Sequence, residues 1–458
     1  MPGPTPLTRD AALAALLTPE GRQLVEALTP YDPDTALALL ERARSDPRWA
    51  DRPDVVSAAA TQARLRTRAA ARFPGPTRWW TPDGLEQATR PLVAARHAGR
   101  FVRAGIDEVA DLGCGAGSDA LAMAGAGLAV TAVDLDPSAL WALSATADDH
   151  GLRIATSNGD VRTMEAPWNR RGQVGMQRFG CFVDPARRRA GVRTQAPEEW
   201  SPPFSWVRSL ADRVPATGAK VAPGIDHAAL PSGAQTEWTS VGGDLLEACV
   251  WWGPLREGRA TRTATVMATR PSGAPGSTAS SAVGGDPEPA VESVDDAEGV
   301  PVPAVGPVSA WLVEPDPAVI RSGLVSVLAA RIDGHLLDPR IAYIAVDLAD
   351  PDPGTLGSAY AVLAQVPFGR KPMRAWLRAR GYGDVVVKKR GINVVPEQLR
   401  AALRLGGGGP TATLILTRTD AGPLALLVER CPAPQQTESG ALGDQRRHGL
   451  GELGDGRL

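Results

Sequence analysis

Apolar residues recur at helical spacing through the first 75 positions, in Leu13–Leu17, Leu24–Leu28 and Ala36–Leu40, with proline and aspartate between the periodic segments. That pattern predicts an N-terminal helical region over residues 1–75. Farther along, short apolar runs that predict strands alternate with helical segments. Val109-Ala110-Asp111-Leu112 precedes a helix over Asp119–Ala126, Ala129–Asp134 precedes one over Ser138–Asp149, and Arg153–Thr156 forms a third unit. Such alternation predicts an α/β domain, assigned here to residues 76–270. Its sheet is expected to finish with Glu237–Val241, Leu246–Trp252 and an antiparallel last strand, Arg262–Ala268.

Residues 271–305 are glycine, proline, serine, alanine and acids with almost no large apolar side chains, so a flexible linker is expected there. Alternation resumes over 306–430. Trp311–Val313, Ile341–Val346, Ala359–Val366 and Val385–Gly391 read as strands, Ala318–Ile332, Arg370–Arg380 and Pro396–Leu405 as helices, and Ala412–Leu416 with Leu424–Val428 as a closing hairpin. Residues 431–458 read as a disordered tail.

The candidate chemistry begins at Asp111. Gly113, Gly115 and Gly117 follow it at alternate positions, where a strand feeds a helix and the backbone must turn tightly against a ligand. A dinucleotide fingerprint would place its third glycine where Ser118 stands. A carboxylate at the strand end would also repel a pyrophosphate, whereas it suits a ligand carrying an ammonium and a sulfonium. Asp134, about twenty residues beyond the first glycine, has the spacing of an acid that accepts ribose hydroxyls. Asp160 follows the third strand, and Phe182-Val183-Asp184-Pro185-Ala186-Arg187 ends the fourth.

This order resembles the class I S-adenosylmethionine (SAM) dependent methyltransferases over residues 76–270. The resemblance implies a Rossmann-like sheet, SAM as cofactor, and cofactor contacts from Asp111, Gly113, Gly115, Gly117, Asp134 and, on the adenine side, Asp160. It also implies that Asp184, Pro185 and Arg187 face the acceptor. The family often has proline at the third position of this last motif, with an aromatic residue or arginine next; here Ala186 stands at the third position. RNA-modifying members often carry an aromatic-Thr-Pro element over the pocket, as in Trp79-Trp80-Thr81-Pro82, with Thr81 able to cap a helix. Glu86, Gln87 and Thr89 are then expected near the cofactor, and Trp79 and Trp80 either stack on a base or fill the core.

The last domain resembles the α+β THUMP-like domains attached to bacterial methyltransferase-fold proteins, through Lys388-Lys389-Arg390-Gly391 and Leu416-Thr417-Arg418. THUMP domains bind structured RNA, so the resemblance implies an RNA substrate, tRNA or rRNA, contacted by Arg374, Lys388 and Arg390. Strand alternation would place Lys388 and Arg390 on one face and Lys389 on the other.

Composition narrows this picture. A net charge of −2 over 458 residues gives no global attraction to nucleic acid, so any RNA-binding face must be local. The four cysteines and five histidines fall in no zinc or disulfide spacing, and no metal is expected. No apolar run reaches membrane-spanning length and no signal-peptide pattern opens the chain, so a cytoplasmic enzyme is the simplest expectation. Arg64, Arg66, Arg68 and Arg72 lie on one predicted helix, which is either a solvated face or a basic face for phosphates. Two functional alternatives stand beside RNA methylation: methylation of a small molecule or protein, and a non-catalytic RNA-binding protein that keeps the fold.

Overall fold

The computed structural model describes residues 6–169, 178–189, 192–268, 290–348 and 351–431. Two compact units result, Met1–Pro303 with Pro315–Arg331, and Ala304–Glu314 with Ile332–Leu458.

The first unit opens with four helices, α1 (Pro6–Leu16), α2 (Pro19–Ala27), α3 (Pro33–Ser45) and α4 (Pro53–Ala69). Each starts at a proline, whose missing N–H would have no helical partner in the first turn anyway. Thr18 and Asp32 cap α2 and α3 by accepting from the Gly21 and Asp34 amides. Their apolar stripes close a core of Leu16, Val25, Val55, Val56 and Ala59, which reaches Trp79. Two further helices, α5 (Pro82–Gln87) and α6 (Pro91–Arg103), lead into the sheet.

Parallel strands β1 (Glu108–Leu112), β2 (Ala129–Asp134), β3 (Ile154–Asn158) and β4 (Phe179–Val183) are joined through α7 (Ser118–Gly125) and α8 (Pro137–Asp149). After α9 (Phe204–Arg213) come β5 (Ala216–Val221), β6 (Gln235–Val241), β7 (Asp244–Trp251), β8 (Arg262–Met267) and β9 (Val291–Asp295). Across the sheet the order is β9-β8-β6-β7-β5-β4-β1-β2-β3. The antiparallel strand expected at the end is β7, inserted between β5 and β6, whereas Arg262–Met267 runs parallel to β6. A sequence pattern gives a strand's faces but not its direction, which here follows from the tight turn at Gly242-Gly243 between β6 and β7.

Residues 291–295, expected to be linker, pair antiparallel with β8. Only Val294 of that strand is buried, so its order comes from backbone pairing and from Asp296, which accepts from the Thr261 and Arg262 amides at 2.7 and 2.9 Å. The rest of the expected linker through 289, and the tail after 431, lie outside the described residues. The helix expected over Ala318–Ile332 is two helices, α10 (Pro317–Arg321) and α11 (Val325–Arg331), separated at Gly323, whose φ of 74° is left-handed. Both belong to the first unit, where Asp316 accepts from the Ser240 hydroxyl at 2.5 Å.

The second unit is built on seven strands. They are β10 (Trp311–Pro315), β11 (Gly334–Asp338), β12 (Ile341–Val346), β13 (Gly357–Val366), β14 (Asp384–Lys389), β15 (Thr411–Thr419) and β16 (Gly422–Arg430). Their order is β11-β12-β10-β13-β16-β15-β14, with the expected hairpin formed by β15 and β16. Helices α12 (Arg370–Ala379) and α13 (Pro396–Leu403) cover it through Met373, Leu377 and Leu403. Among the described residues no helix is long and apolar enough to cross a membrane.

One buried cation fastens α6 to the far half of the first sheet. Arg100 donates to Glu237 at 2.8 Å, to Gln235 at 3.0 Å and to the Leu255 carbonyl at 2.8 Å, and lies 4.7 Å from the Trp251 ring centre. Burial works against the Glu237 charge, but Arg100 and Arg96 outweigh it and hold its pKa down at about 2. Arg100→Ala would leave that carboxylate only partly matched, and is expected to cost about 3–5 kcal/mol, read as a lower urea midpoint by tryptophan fluorescence.

Candidate active site

Where β1, β2 and β4 end, a cavity of about 250 Å³ opens. The loop after β1 forms its floor. Gly113 sits at φ 84°, and a Cβ there would come within 2.6 Å of the Asp184 carbonyl oxygen, so only glycine lets the loop pass this close to the end of β4. Gly115 donates its N–H to Asp134 Oδ2 at 2.8 Å, while the Asp136 amide holds the other oxygen at 2.8 Å. That fixes the Asp134 carboxylate at the cavity wall with further acceptor capacity on both oxygens.

The other sequence-predicted residues distribute as follows. Gly113, Gly115, Gly117, Asp134, Asp160, Asp184 and Pro185 all line the cavity. Asp160 is ion-paired with Arg162 at 2.6 Å. Asp111 lies beneath the loop instead of in the lining, 1 % exposed, with Oδ2 buried and unpartnered. Burial, reinforced by Asp119 and Asp184, pushes its pKa well above the usual carboxylate range. Arg187 is half-buried one step beyond Ala186, whose N–H and C=O pair with Ser201 at 2.8 and 3.0 Å. The third position of this motif thus serves through its backbone.

Ahead of the loop, Thr81 caps α5 by accepting from Gly84 at 3.0 Å, and Thr81, Gln87 and Thr89 line the cavity. Trp79 and Trp80 are 1 % and 2 % exposed, which puts them in the core and out of reach of a stacking base. Gln62 of α4 brackets the Trp80 backbone at 2.7 and 3.1 Å, and Trp79 Nε1 donates to Asp149 at 2.8 Å.

Four further residues lacked any sequence signal: His97, Asp119, Lys220 and Glu247. Together with Thr89 they close a buried polar ring against Asp184. Lys220 Nζ donates to Asp184 Oδ2 at 2.6 Å and to Thr89 Oγ1 at 3.0 Å; Thr89 donates to Asp119 Oδ2 at 2.6 Å. His97 links Asp119 at 2.8 Å to Glu247 at 2.7 Å, and Glu247 returns to Lys220 at 3.9 Å. Burial opposes charge on His97 and Lys220, yet the surrounding carboxylates outweigh it and raise both pKa values. Cys249 joins the ring at 3.3 Å from Glu247, and ligand atoms of His97, Glu247 and Cys249 fall within 4.8 Å of one another. Burial pushes the thiols of Cys114, Cys181 and Cys249 far up, which argues against a thiolate nucleophile at any of them.

Five parallel strands, a single antiparallel strand inserted before the next, and a cavity at the carboxyl ends of the central strands define a class I, Rossmann-like methyltransferase domain. Residues 109–193 match a methyltransferase domain family, 357–430 a THUMP domain-like family, and 10–69 a domain family of unknown function. An uncharacterized S-adenosylmethionine-dependent methyltransferase of Mycobacterium tuberculosis, found alike in strains CDC 1551 and H37Rv, is 30% identical over 373 residues, 79% of this chain and 92% of that protein. This chain therefore belongs to the SAM-dependent methyltransferases. In fold it is similar to a proposed methyltransferase of Porphyromonas gingivalis W83, with a TM-score of 0.59 at 18% identity, covering 87% of this chain and 99% of that one.

SAM is accordingly the cofactor, and when bound it supplies an electrophilic methyl group on a sulfonium. The residues present fit it. Asp111 holds an unpartnered buried oxygen beside the loop, suited to a cationic group, and Asp134 presents acceptors at the cavity wall. Asp134→Ala is expected to weaken SAM binding at least about tenfold in calorimetry, the equivalent of one charge-assisted hydrogen bond. Lys220→Met is expected to leave SAM affinity within about threefold while lowering turnover at least about tenfold, because it frees Asp184 from its fixed orientation. Parallel calorimetry and single-turnover assays check both.

Proposed function

We propose that this methyltransferase modifies RNA, tRNA or rRNA, in the cytoplasm, with the THUMP-like unit holding the nucleic acid and the first unit transferring the methyl group. The observation that carries this reading is the THUMP domain-like match over residues 357–430 on the same chain as a methyltransferase domain. Exposed Arg370 and Lys371 on α12 supply cations for a phosphate backbone, joined by Arg378, which also donates to the Arg404 carbonyl, and by Arg380 after the helix end, which lies over the Trp376 ring. Arg374, Lys388 and Arg390 are assigned to the substrate as well, although each has an internal contact. Arg374 donates to the Ala402 carbonyl, and Lys388 and Arg390 lie 2.6 and 3.7 Å from Glu314. Phosphate binding there must compete with Glu314, an observation that favours the second reading, a small-molecule or protein acceptor.

In the cavity, Asp134 would accept the ribose hydroxyls and Asp160 the adenine amine, while Asp111 would attract the ammonium from beneath the loop and Gly113, Gly115 and Gly117 permit close approach of the backbone. Asp184 and the Pro185 carbonyl would orient the acceptor atom, with Arg187 holding an anionic group beside it. Methyl transfer needs alignment more than a strong base, which suits a carboxylate locked by Lys220.

Labelled methyl groups are expected to enter total RNA from a strain lacking this gene, and not small-molecule extracts of the same cells. Label in the extracts alone would favour the second reading. Asp184→Ala is expected to cut incorporation at least about a hundredfold.

A further inference from the structure

Three cations around the sheet of the first unit, Arg96, Arg100 and Lys220, each meet a carboxylate. Arg96 and Arg100 meet Glu237 at 2.6 and 2.8 Å, and Lys220 meets Asp184 at 2.6 Å. Arg66 and Arg78 break this pattern. Both are half-buried and both line a second cavity of about 420 Å³, between α4 and the segment from Phe73 to Trp80. Among the described residues Arg66 makes no hydrogen bond or ion pair; it lies 4.4 Å from the Trp79 ring centre, and its Nε is buried without a partner. Arg78 has one hydrogen bond, to the neutral Ser118 hydroxyl at 3.2 Å. Burial lowers the pKa of each guanidinium, the sign of a charge incompletely compensated.

Two carboxylates lie near Arg66. Glu26 lines the cavity and forms no ion pair with either arginine, and Asp149 is engaged by Arg22 and by Trp79 Nε1. A half-buried guanidinium that no carboxylate meets in an ion pair has its charge only partly matched by the acids nearby, Asp149 and Glu26 for Arg66 and Asp119 for Arg78, and two on one open cavity would be stabilised by an external anion. Planar guanidinium forks match the oxygens of a phosphate in two-point contacts. The cavity is larger than one phosphate ion needs and leaves room for the rest of a phosphorylated molecule. It neighbours the methyl-donor site through one hydrogen bond, from Arg78 of this cavity to Ser118, which lines that site.

We propose that Arg66 and Arg78 form a phosphate-binding pocket at the junction of the N-terminal helices with the methyltransferase sheet, taking the phosphate group of a ligand beside the methyl-donor site. This gives a role to residues 10–69, the segment matching a domain of unknown function. Only the source of the phosphate rests on the RNA reading: it is either the backbone of a bound RNA or a phosphate on a free small molecule.

The full-length protein, saturated with S-adenosylhomocysteine to block the methyl-donor cavity, would be titrated with inorganic phosphate and with a short oligouridylate at constant ionic strength, using thermal shift and tryptophan fluorescence. Native protein is expected to bind both, and Arg66→Gln and Arg78→Gln each to weaken binding at least about tenfold. Arg64→Gln, an exposed change on the same helix, should leave binding unchanged. Binding of phosphate without the oligouridylate would support the pocket and assign it to a small phosphorylated ligand. No binding of either, or binding indifferent to both substitutions, would overturn the proposal. Should Arg66→Gln fail to fold, Arg66→Lys, which keeps the charge but loses the fork, must weaken binding along with Arg78→Gln. Because methyl transfer to RNA is assayed separately, absence of RNA methylation with phosphate binding intact would defeat the RNA reading alone.

Discussion

The ion pair between Lys220 and Asp184 is the constraint around which the methyltransferase site is arranged. A lysine this deeply buried stays charged only if carboxylates surround it, and Asp184, Glu247 and Asp119 do so. Those acids come from separate elements, and two of them bring a second obligation: Asp119 binds Thr89 and His97, and Glu247 binds His97. One lysine thereby couples the end of β4, helices α6 and α7, and strands β5 and β7. Three carboxylates stand against two cations, so the ground beneath the cavity carries an excess of negative charge. That balance suits a cofactor that presents an ammonium and a sulfonium, and, after burial itself, it adds to the upward shift of the Asp111 pKa.

The glycine loop and its acids were legible in the sequence because their meaning is local. Strand, turn and carboxylate lie within a few residues of each other at Asp111–Gly117, and Asp134 and Asp184 each end an apolar run. The ring was not legible. His97, Asp119, Lys220 and Glu247 are spread over some 150 positions, and each looks like an ordinary helix or strand residue until the sheet brings them together. Likewise the tryptophan pair could be read as core or as a stacking surface; the backbone contacts of Gln62 and Thr146 with Trp79 and Trp80 decide it, and neither partner is near in sequence.

Strand β9 shows a different limit. Three of its five residues are polar and only Val294 is buried, so hydrophobic patterning sees a linker where backbone hydrogen bonds and Asp296 build an edge strand. Patterning also misplaced the end of the first unit, because α10 and α11 follow a strand of the second unit in the chain while packing with the first.

That excursion has a consequence for how the protein can be divided. The chain passes from the first unit to the second near residue 304, returns at 315, and leaves again after 331. The THUMP-like unit is thus connected to the first by three chain crossings and not by a single tether. A cut at residue 305 would remove Asp316 from Ser240 and take two helices from the catalytic half. Neither unit can be exchanged at one junction, so the two must be engineered as one piece.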